Sequence, residues 1–205
     1  MENKKLSKLQ REVLIGILLG DASLKPNTHK TKYSLKILQS DQHKEYVFHL
    51  YEIFKDFTNT PPRKYVFTDK RFPNKIYTRW YFSTTSQAFF RFYAHQFYDS
   101  NKKIVPKRIY KWLTPRAIAY WYMDDGAQKW KTKSLGVRFC TNNFSLTEVK
   151  LLISVLQEKY ELKCSTQKKK HNFRIYISSE SHSILTNLIF RFFIPSMIYK
   201  FPILV

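Results

Sequence analysis

Four side chains in this sequence stand where they could do joint chemistry. Asp21 follows a glycine at the end of the apolar run VLIGILLGD, and Asp125 closes a second such run, IAYWYMDD, directly after Asp124. At nearly the same distance downstream of each acid lies a lysine shortly before a proline, Lys103 in NKKIVP and Lys200 in IYKFP. A carboxylate at the C-terminal end of a helix faces the negative pole of the helix dipole and costs about 0.3–1 kcal/mol, so helix stabilisation does not explain the pair. Turn formation by GDAS and DDGA, or salt bridging to nearby basic residues, explains either acid alone but not two in matched settings. Two carboxylates brought together repel unless a hard divalent cation lies between them. Mg²⁺ is held by one or two carboxylates together with phosphate oxygens and water, and the carbonyls freed at the helix ends, at Gly20 and Asp124, offer further ligands. Such a set fits phosphodiester hydrolysis at a two-metal site, with Lys103 and Lys200 stabilising charge on the phosphorane or positioning the attacking water.

For the acids to meet, the helices that carry them must pack on each other. Gly16, Gly20 and Ala119 are the small residues expected to allow that approach. The elements around the two helices repeat. A helix over 7–20 is followed by the alternating strand YSLKILQS, an amphipathic helix over 41–57, two strands (RKYVFT and KIYTRWYFST) joined through DKRFPN, and a helix over about 85–97. From residue 114 the order begins again: a Thr-Pro helix start, the strand LGVRFCTN, a helix whose Ser145 and Glu148 match a capping box, strands KCSTQKKK and NFRIYISS turning at His171, and a helix over about 180–192. A further short strand is expected before the longer one after each first helix. The repeat divides the chain into units 1–106 and 107–205, an α+β molecule with pseudo-twofold symmetry.

Composition fixes the class of partner. The 205 residues carry 36 Lys and Arg against 15 Asp and Glu, a net charge of +21, which favours a polyanion because neutralised phosphates release condensed counterions. The 17 Phe, 14 Tyr and 4 Trp supply a real core, which excludes a disordered polycation. No apolar run is long enough for a membrane span and the N-terminus lacks a signal-peptide core, so the chain reads as soluble and intracellular, with no membrane partner. Cys140 and Cys164 lack zinc-ligand spacing and read as ordinary buried thiols.

LIGILLGDA and IAYWYMDDG, in register with the repeated units and the two lysines, resemble the paired motifs of the LAGLIDADG homing endonucleases in their single-chain, double-motif, intron-encoded form. The resemblance runs from about Leu6 to Pro202. It implies two αββαββα-type units whose curved antiparallel sheets form a saddle over DNA. By it, the metal-binding acids are Asp21 and Asp125, Asp124 contributes chiefly through its carbonyl, and the active-site lysines are Lys103 (with Lys102 as competitor) and Lys200. A polar residue at the end of the second strand organises water: Gln39 in the first unit, Thr141 or Asn142 in the second. The first motif has Leu19 where the family has an acid, at a position more structural than catalytic. The resemblance further implies a monomer that uses Mg²⁺, with Mn²⁺ substituting and Ca²⁺ binding without turnover, and that cuts both strands of a long asymmetric target to leave short 3′ overhangs. It implies intron mobility in a mitochondrion or chloroplast. The rival on the same fold is a maturase that binds intron RNA without cutting DNA; a basic transcription factor leaves the matched acids and lysines without a role.

Strand alternation separates a core side from a ligand side. In the first unit the polar side carries Ser34 and Lys36, Lys64 and Thr68, and Tyr77, Arg79 and Tyr81; in the second it carries Arg138, Gln167, Lys169, Arg174, Tyr176 and Ser178. A two-stranded ribbon fits the major groove, where Arg and Lys favour guanine and Gln or Asn favour adenine. The loops KPNTHK, DKRFPNK, KWKTK and QKKKH are expected to grip phosphate, while Trp80 and Phe82 alternate with Arg79 and Tyr81 and belong to the core.

Overall fold

The computed structural model describes residues 5–130 and 133–202. Lys131 and Thr132 of the KWKTK loop lie outside the described residues. The elements follow in the order α1 (Lys8–Leu19), β1 (Ser23–Pro26), β2 (Tyr33–Ser40), α2 (Lys44–Phe54), β3 (Arg63–Asp69), β4 (Phe72–Ser83), α3 (Phe89–Phe97), β5 (Tyr98–Asp99) and β6 (Lys102–Lys103). There follow α4 (Ile109–Trp112), α5 (Pro115–Asp125), β7 (Gly126–Trp130), β8 (Ser134–Phe139), α6 (Leu146–Tyr160), β9 (Cys164–Lys169), β10 (Asn172–Ile177) and α7 (His182–Ile189). Two four-stranded antiparallel sheets have the same order, β1-β2-β4-β3 and β7-β8-β10-β9. The repeat seen in the sequence is therefore a repeat of topology, including the short extra strands β1 and β7.

By compactness the chain forms two units: Asp21–Ala94 with residue 5, and Leu6–Gly20 with the chain from His95 onward. Helix α1 groups with the second unit because it packs along α5. Both helices are apolar around most of their circumference and are buried accordingly: Val13–Leu19 and Ala117–Met123 are buried without interruption. Ser7 and Gln10 close a capping box on α1, with bonds of 2.9 and 3.1 Å. Thr114 caps α5, accepting from the Ala117 N–H at 3.2 Å, and Pro115 occupies the first turn, where its missing N–H costs nothing.

In the first unit α2 covers the inner face of β2 and β4, where Leu35, Ile37 and Phe82 are buried. Register shows which residues share that face. Ile37 pairs with Phe82 and Gln39 with Trp80, whereas Lys36, Leu38 and Ser40 pair with Ser83, Tyr81 and Arg79 on the open side. Trp80 donates its indole N–H to Asp41 at 2.7 Å, as a residue of the helix side. Strand β3 corrects the expectation: Lys64 and Thr68 pair with Trp80 and Ile76, so they lie on the opposite face from Tyr77, Arg79 and Tyr81. Arg63, Tyr65 and Phe67, paired with Tyr81, Arg79 and Tyr77, share the open face instead.

In the second unit α6 packs on β9 and β10. Here Arg138 pairs with Tyr176 in β10 and Arg174 with Gln167, while Lys169 pairs with Asn172, so the expected residues Arg138, Gln167, Lys169, Arg174 and Tyr176 share one face. Ser178 follows β10, and its hydroxyl accepts the Glu180 N–H at 3.3 Å, a capping role. The last expected helix, over 180–192, is shorter: α7 ends at Ile189 and flanking turns are 3₁₀. Cys140 and Cys164 are unpaired and half-buried rather than buried; burial pushes the Cys164 thiol up to about 12. Among the described residues no helix is long and apolar enough to cross a membrane.

Candidate active site

The α1–α5 pair is close because of two glycines. A methyl group at Gly16 would overlap the Ala117 carbonyl oxygen and come within 2.8 Å of the Tyr120 Cβ. One turn later, a methyl at Gly20 would overlap the Asp124 carboxylate and lie 2.8 Å from its Cγ. The atoms of α5 nearest to Gly16 thus belong to Ala117, Tyr120 and Trp121. The helix ends are in contact, and Gly20 and Asp124 are the residues that touch.

Each of these ends is met by a lysine. Lys103 Nζ donates to the Gly20 carbonyl at 2.7 Å, and Lys200 Nζ donates to the carbonyls of Met123 and Asp124 at 2.5 and 2.7 Å. Ammonium groups at helix C-termini satisfy orphan carbonyls and oppose the dipole. Both carbonyls expected as metal ligands therefore accept a hydrogen bond from a lysine ammonium.

The lysines are held by the surrounding backbone. Ser100 and Asn101 take positive φ values of 47° and 69° to turn β5 into β6. Beyond the turn the Ile104 N–H bonds the Phe97 carbonyl at 2.8 Å, and the Val105 N–H bonds Glu148 Oε1 at 2.9 Å. Lys103 is directed to Gly20, while Lys102 is exposed. At the other end, Pro195–Lys200 form a 3₁₀ turn whose last carbonyl accepts the Tyr122 hydroxyl at 3.0 Å. Gln128 donates to the carbonyls of Tyr199 and Phe201 at 3.0 and 3.1 Å, which fixes the backbone on both sides of Lys200. Phe201 adds ring contacts to Tyr122, Phe190 and Phe193.

In the first unit, Asp21 opens the segment before β1, and Gln39 reaches it from β2. Gln39 is only 7% exposed; its Nε2 donates to Asp21 Oδ2 at 2.9 Å and its Oε1 faces His43 Nδ1 at 3.1 Å. With the Nδ1–H tautomer, His43 donates to Oε1, which turns the amide N–H toward the acid. Sequence reasoning missed His43, whose part depends on how the Gln39 amide is oriented.

Asp125 is the last residue of α5, and its carbonyl accepts the Cys140 N–H at 3.0 Å. The next residue, Thr141, takes the register position that Gln39 has relative to Asp21. Its hydroxyl is given to the Phe173 carbonyl at 2.7 Å, at 1% exposure. Asn142 lies beyond the strand. Gln39 and Thr141 thus differ in the group they bond.

No group of three or more His, Cys, Asp or Glu side chains is gathered for a metal among the described residues. The donors present are carboxylates and carbonyls, hard oxygens that suit Mg²⁺ when a phosphate completes the shell, and they do not form an all-protein cage for a soft metal.

Residues 11–185 match the LAGLIDADG DNA endonuclease family. The chain is similar to DNA endonuclease I-ChuI of Chlamydomonas applanata, at 33% identity over 95% of each chain. It is also similar to the cytochrome b mRNA maturase bI2 of Debaryomyces hansenii, at 33% identity over 97% of this chain and 75% of the relative. Among solved structures, the homing endonuclease I-WcaI bound to its DNA recognition sequence superposes with a TM-score of 0.92 at 30% identity, covering 98% of this chain and 89% of that one.

Proposed function

The chain belongs to the LAGLIDADG DNA endonuclease family, and on that footing we propose that it is a homing endonuclease that cuts both strands of a long double-stranded DNA target and so promotes mobility of its intron. The observation that carries the reading is the meeting of two helix ends at Gly20 and Asp124, each with a lysine on its carbonyl and an aspartate at its end. Asp21 and Asp125 would hold divalent metal, with the Gly20 and Asp124 carbonyls as additional oxygen donors. Bound Mg²⁺ supplies Lewis acidity toward the scissile phosphate and lowers the pKa of water.

The chain's own residues do the rest. Lys103 and Lys200 bring positive charge to the phosphate, where developing charge is stabilised without reorganisation. Gln39 holds the Asp21 carboxylate in one orientation, and His43 holds Gln39. The strand residues of the two open faces orient the duplex, and the basic loops bind its phosphates. The protein would act as a monomer, because both motifs lie in one chain, and in a mitochondrion or chloroplast, where the intron resides.

The maturase relative keeps one second reading in view, assistance of intron splicing through RNA. A plasmid carrying the intronless insertion site separates them. The endonuclease reading expects a linear product in Mg²⁺ and none in EDTA; intact plasmid in Mg²⁺, together with faster splicing of the precursor RNA, would establish the maturase instead.

A further inference from the structure

The corresponding ribbons of the two sheets, β3–β4 and β9–β10, present different chemistry on their open faces. In β9–β10 the face is mainly polar, with Gln167 paired to Arg174, Lys169 to Asn172, and Tyr176 as its one ring; among the described residues the buried Nε–H of Arg174, like that of Arg138 in β8, has no acceptor. In β3–β4 the same face carries a row of rings. Tyr65 and Phe67 stack with centroids 5.5 Å apart, and Phe67 and Tyr77 stack at the same distance across the strand pair. The Arg79 guanidinium lies 4.5 Å above the Phe67 ring. The row stands clear of the buried core: Tyr65 is 52% exposed, Phe67 and Tyr77 are half-buried against their neighbours in the row, and on the reverse side Ile76 is 71% exposed.

A partly exposed row of rings on a ribbon flanked by Arg63, Lys64, Lys70 and Lys75 has both the charge for a phosphate backbone and a surface that water solvates poorly. Within a major groove the one apolar group on a base edge is the thymine 5-methyl; guanine and adenine edges call for the Arg and Gln chemistry of the other ribbon. Resting on the DNA-endonuclease reading above, we infer that the two ribbons read chemically different half-sites: β3–β4 recognises thymine methyl groups through Tyr65, Phe67 and Tyr77, and β9–β10 recognises purine edges by hydrogen bonding. The target's asymmetry is then one of base chemistry as well as of sequence. Stacking of Phe67 between two tyrosines and under Arg79 orders the row before binding, which lowers the entropy lost on contact.

The test replaces thymine by 2′-deoxyuridine, which removes only the methyl, in each half of the insertion-site duplex in turn. Binding of the parent protein is measured in EDTA. Each buried methyl contributes about fourfold in affinity, so two or three contacts predict at least about a tenfold loss for one half and less than about twofold for the other. Phe67→Ala and Tyr65→Ala are expected to bind the methylated and unmethylated duplexes alike. Equal losses in both halves, no loss in either, or an undiminished methyl preference in both variants overturns the inference. Cleavage of the unmodified duplex in Mg²⁺ is measured in parallel: its presence without a one-sided methyl effect overturns this inference alone, and its absence overturns the endonuclease reading as well.

Discussion

Lys103 Nζ donates to the Gly20 carbonyl oxygen at 2.7 Å, so the free end of α1 is closed by a cation brought from a different element. Lys200 does the same for α5. These contacts give the lysines a helix-capping role; the proposed second role, charge at the phosphate, can be separated from it. Lys103→Met and Lys200→Met keep the stem and remove the charge. Each is expected to lower the cleavage rate by about 100-fold while costing only about 0.3–1 kcal/mol of stability. Single-turnover cleavage beside thermal unfolding checks this; a large fall in melting temperature with an unchanged rate would leave only the capping role.

Gly20→Ala places a methyl on the Asp124 carboxylate, and Gly16→Ala places one on the Ala117 carbonyl. The helices cannot both keep their positions. Destabilisation of about 1–3 kcal/mol is expected for each in urea unfolding, and for Gly20→Ala a loss of cleavage larger than its loss of stability explains.

Gln39 and Thr141 hold equivalent register positions but different bonds, to Asp21 and to the Phe173 carbonyl. Gln39→Leu therefore removes this hydrogen bond from the acid and is expected to slow cleavage by about 10- to 100-fold with little change in melting temperature. Thr141→Val leaves a carbonyl without its donor and should cost about 1–3 kcal/mol of stability with little change in rate. Reversal of the two patterns would place the water-organising group in the second unit.

Burial opposes ionisation of Glu148, yet hydrogen bonds from the Ser145 side chain and backbone and from the Val105 N–H, with Lys102 nearby, hold its carboxyl below the ordinary value of 4.5. Because the folded-state pKa is the lower one, the stabilisation is present above the unfolded value and disappears as pH falls through the folded value. The stability difference between the parent and Glu148→Gln should be constant above about pH 5.5 and shrink below about pH 4.5. A difference unchanged down to pH 3 would remove Glu148 from the support of the Lys103 segment.

Much of this organisation is legible in the sequence because burial imposes a period. Apolar helices α1 and α5, the capping box at Ser145 and the alternation of YSLKILQS each declare their element locally. Arg138, Arg174 and Gln167 fall on one face because α6 buries the other. Strand β3 gave no such signal: both Lys64-Val66-Thr68 and Arg63-Tyr65-Phe67 mix polar with apolar residues, since the ribbon extends past the helix that covers β2 and β4. Only pairing with β4 decides its faces. Likewise Gly16 and Gly20 announce a close approach, but which residues of α5 receive it depends on the rotation of that helix. His43 was hidden because its role depends on an amide orientation, which no spacing encodes.

The most direct measurement compares cleavage of the intronless insertion-site duplex in Mg²⁺ by the parent, Asp21→Asn and Asp125→Asn proteins, with nicked and linear products resolved. Asparagine preserves shape and removes the charge that a divalent cation requires. The account predicts that each substitution lowers double-strand cleavage by at least about 100-fold while the protein still binds the duplex. Cleavage at the parent rate by both variants would contradict the assignment of Asp21 and Asp125 as the metal-holding acids.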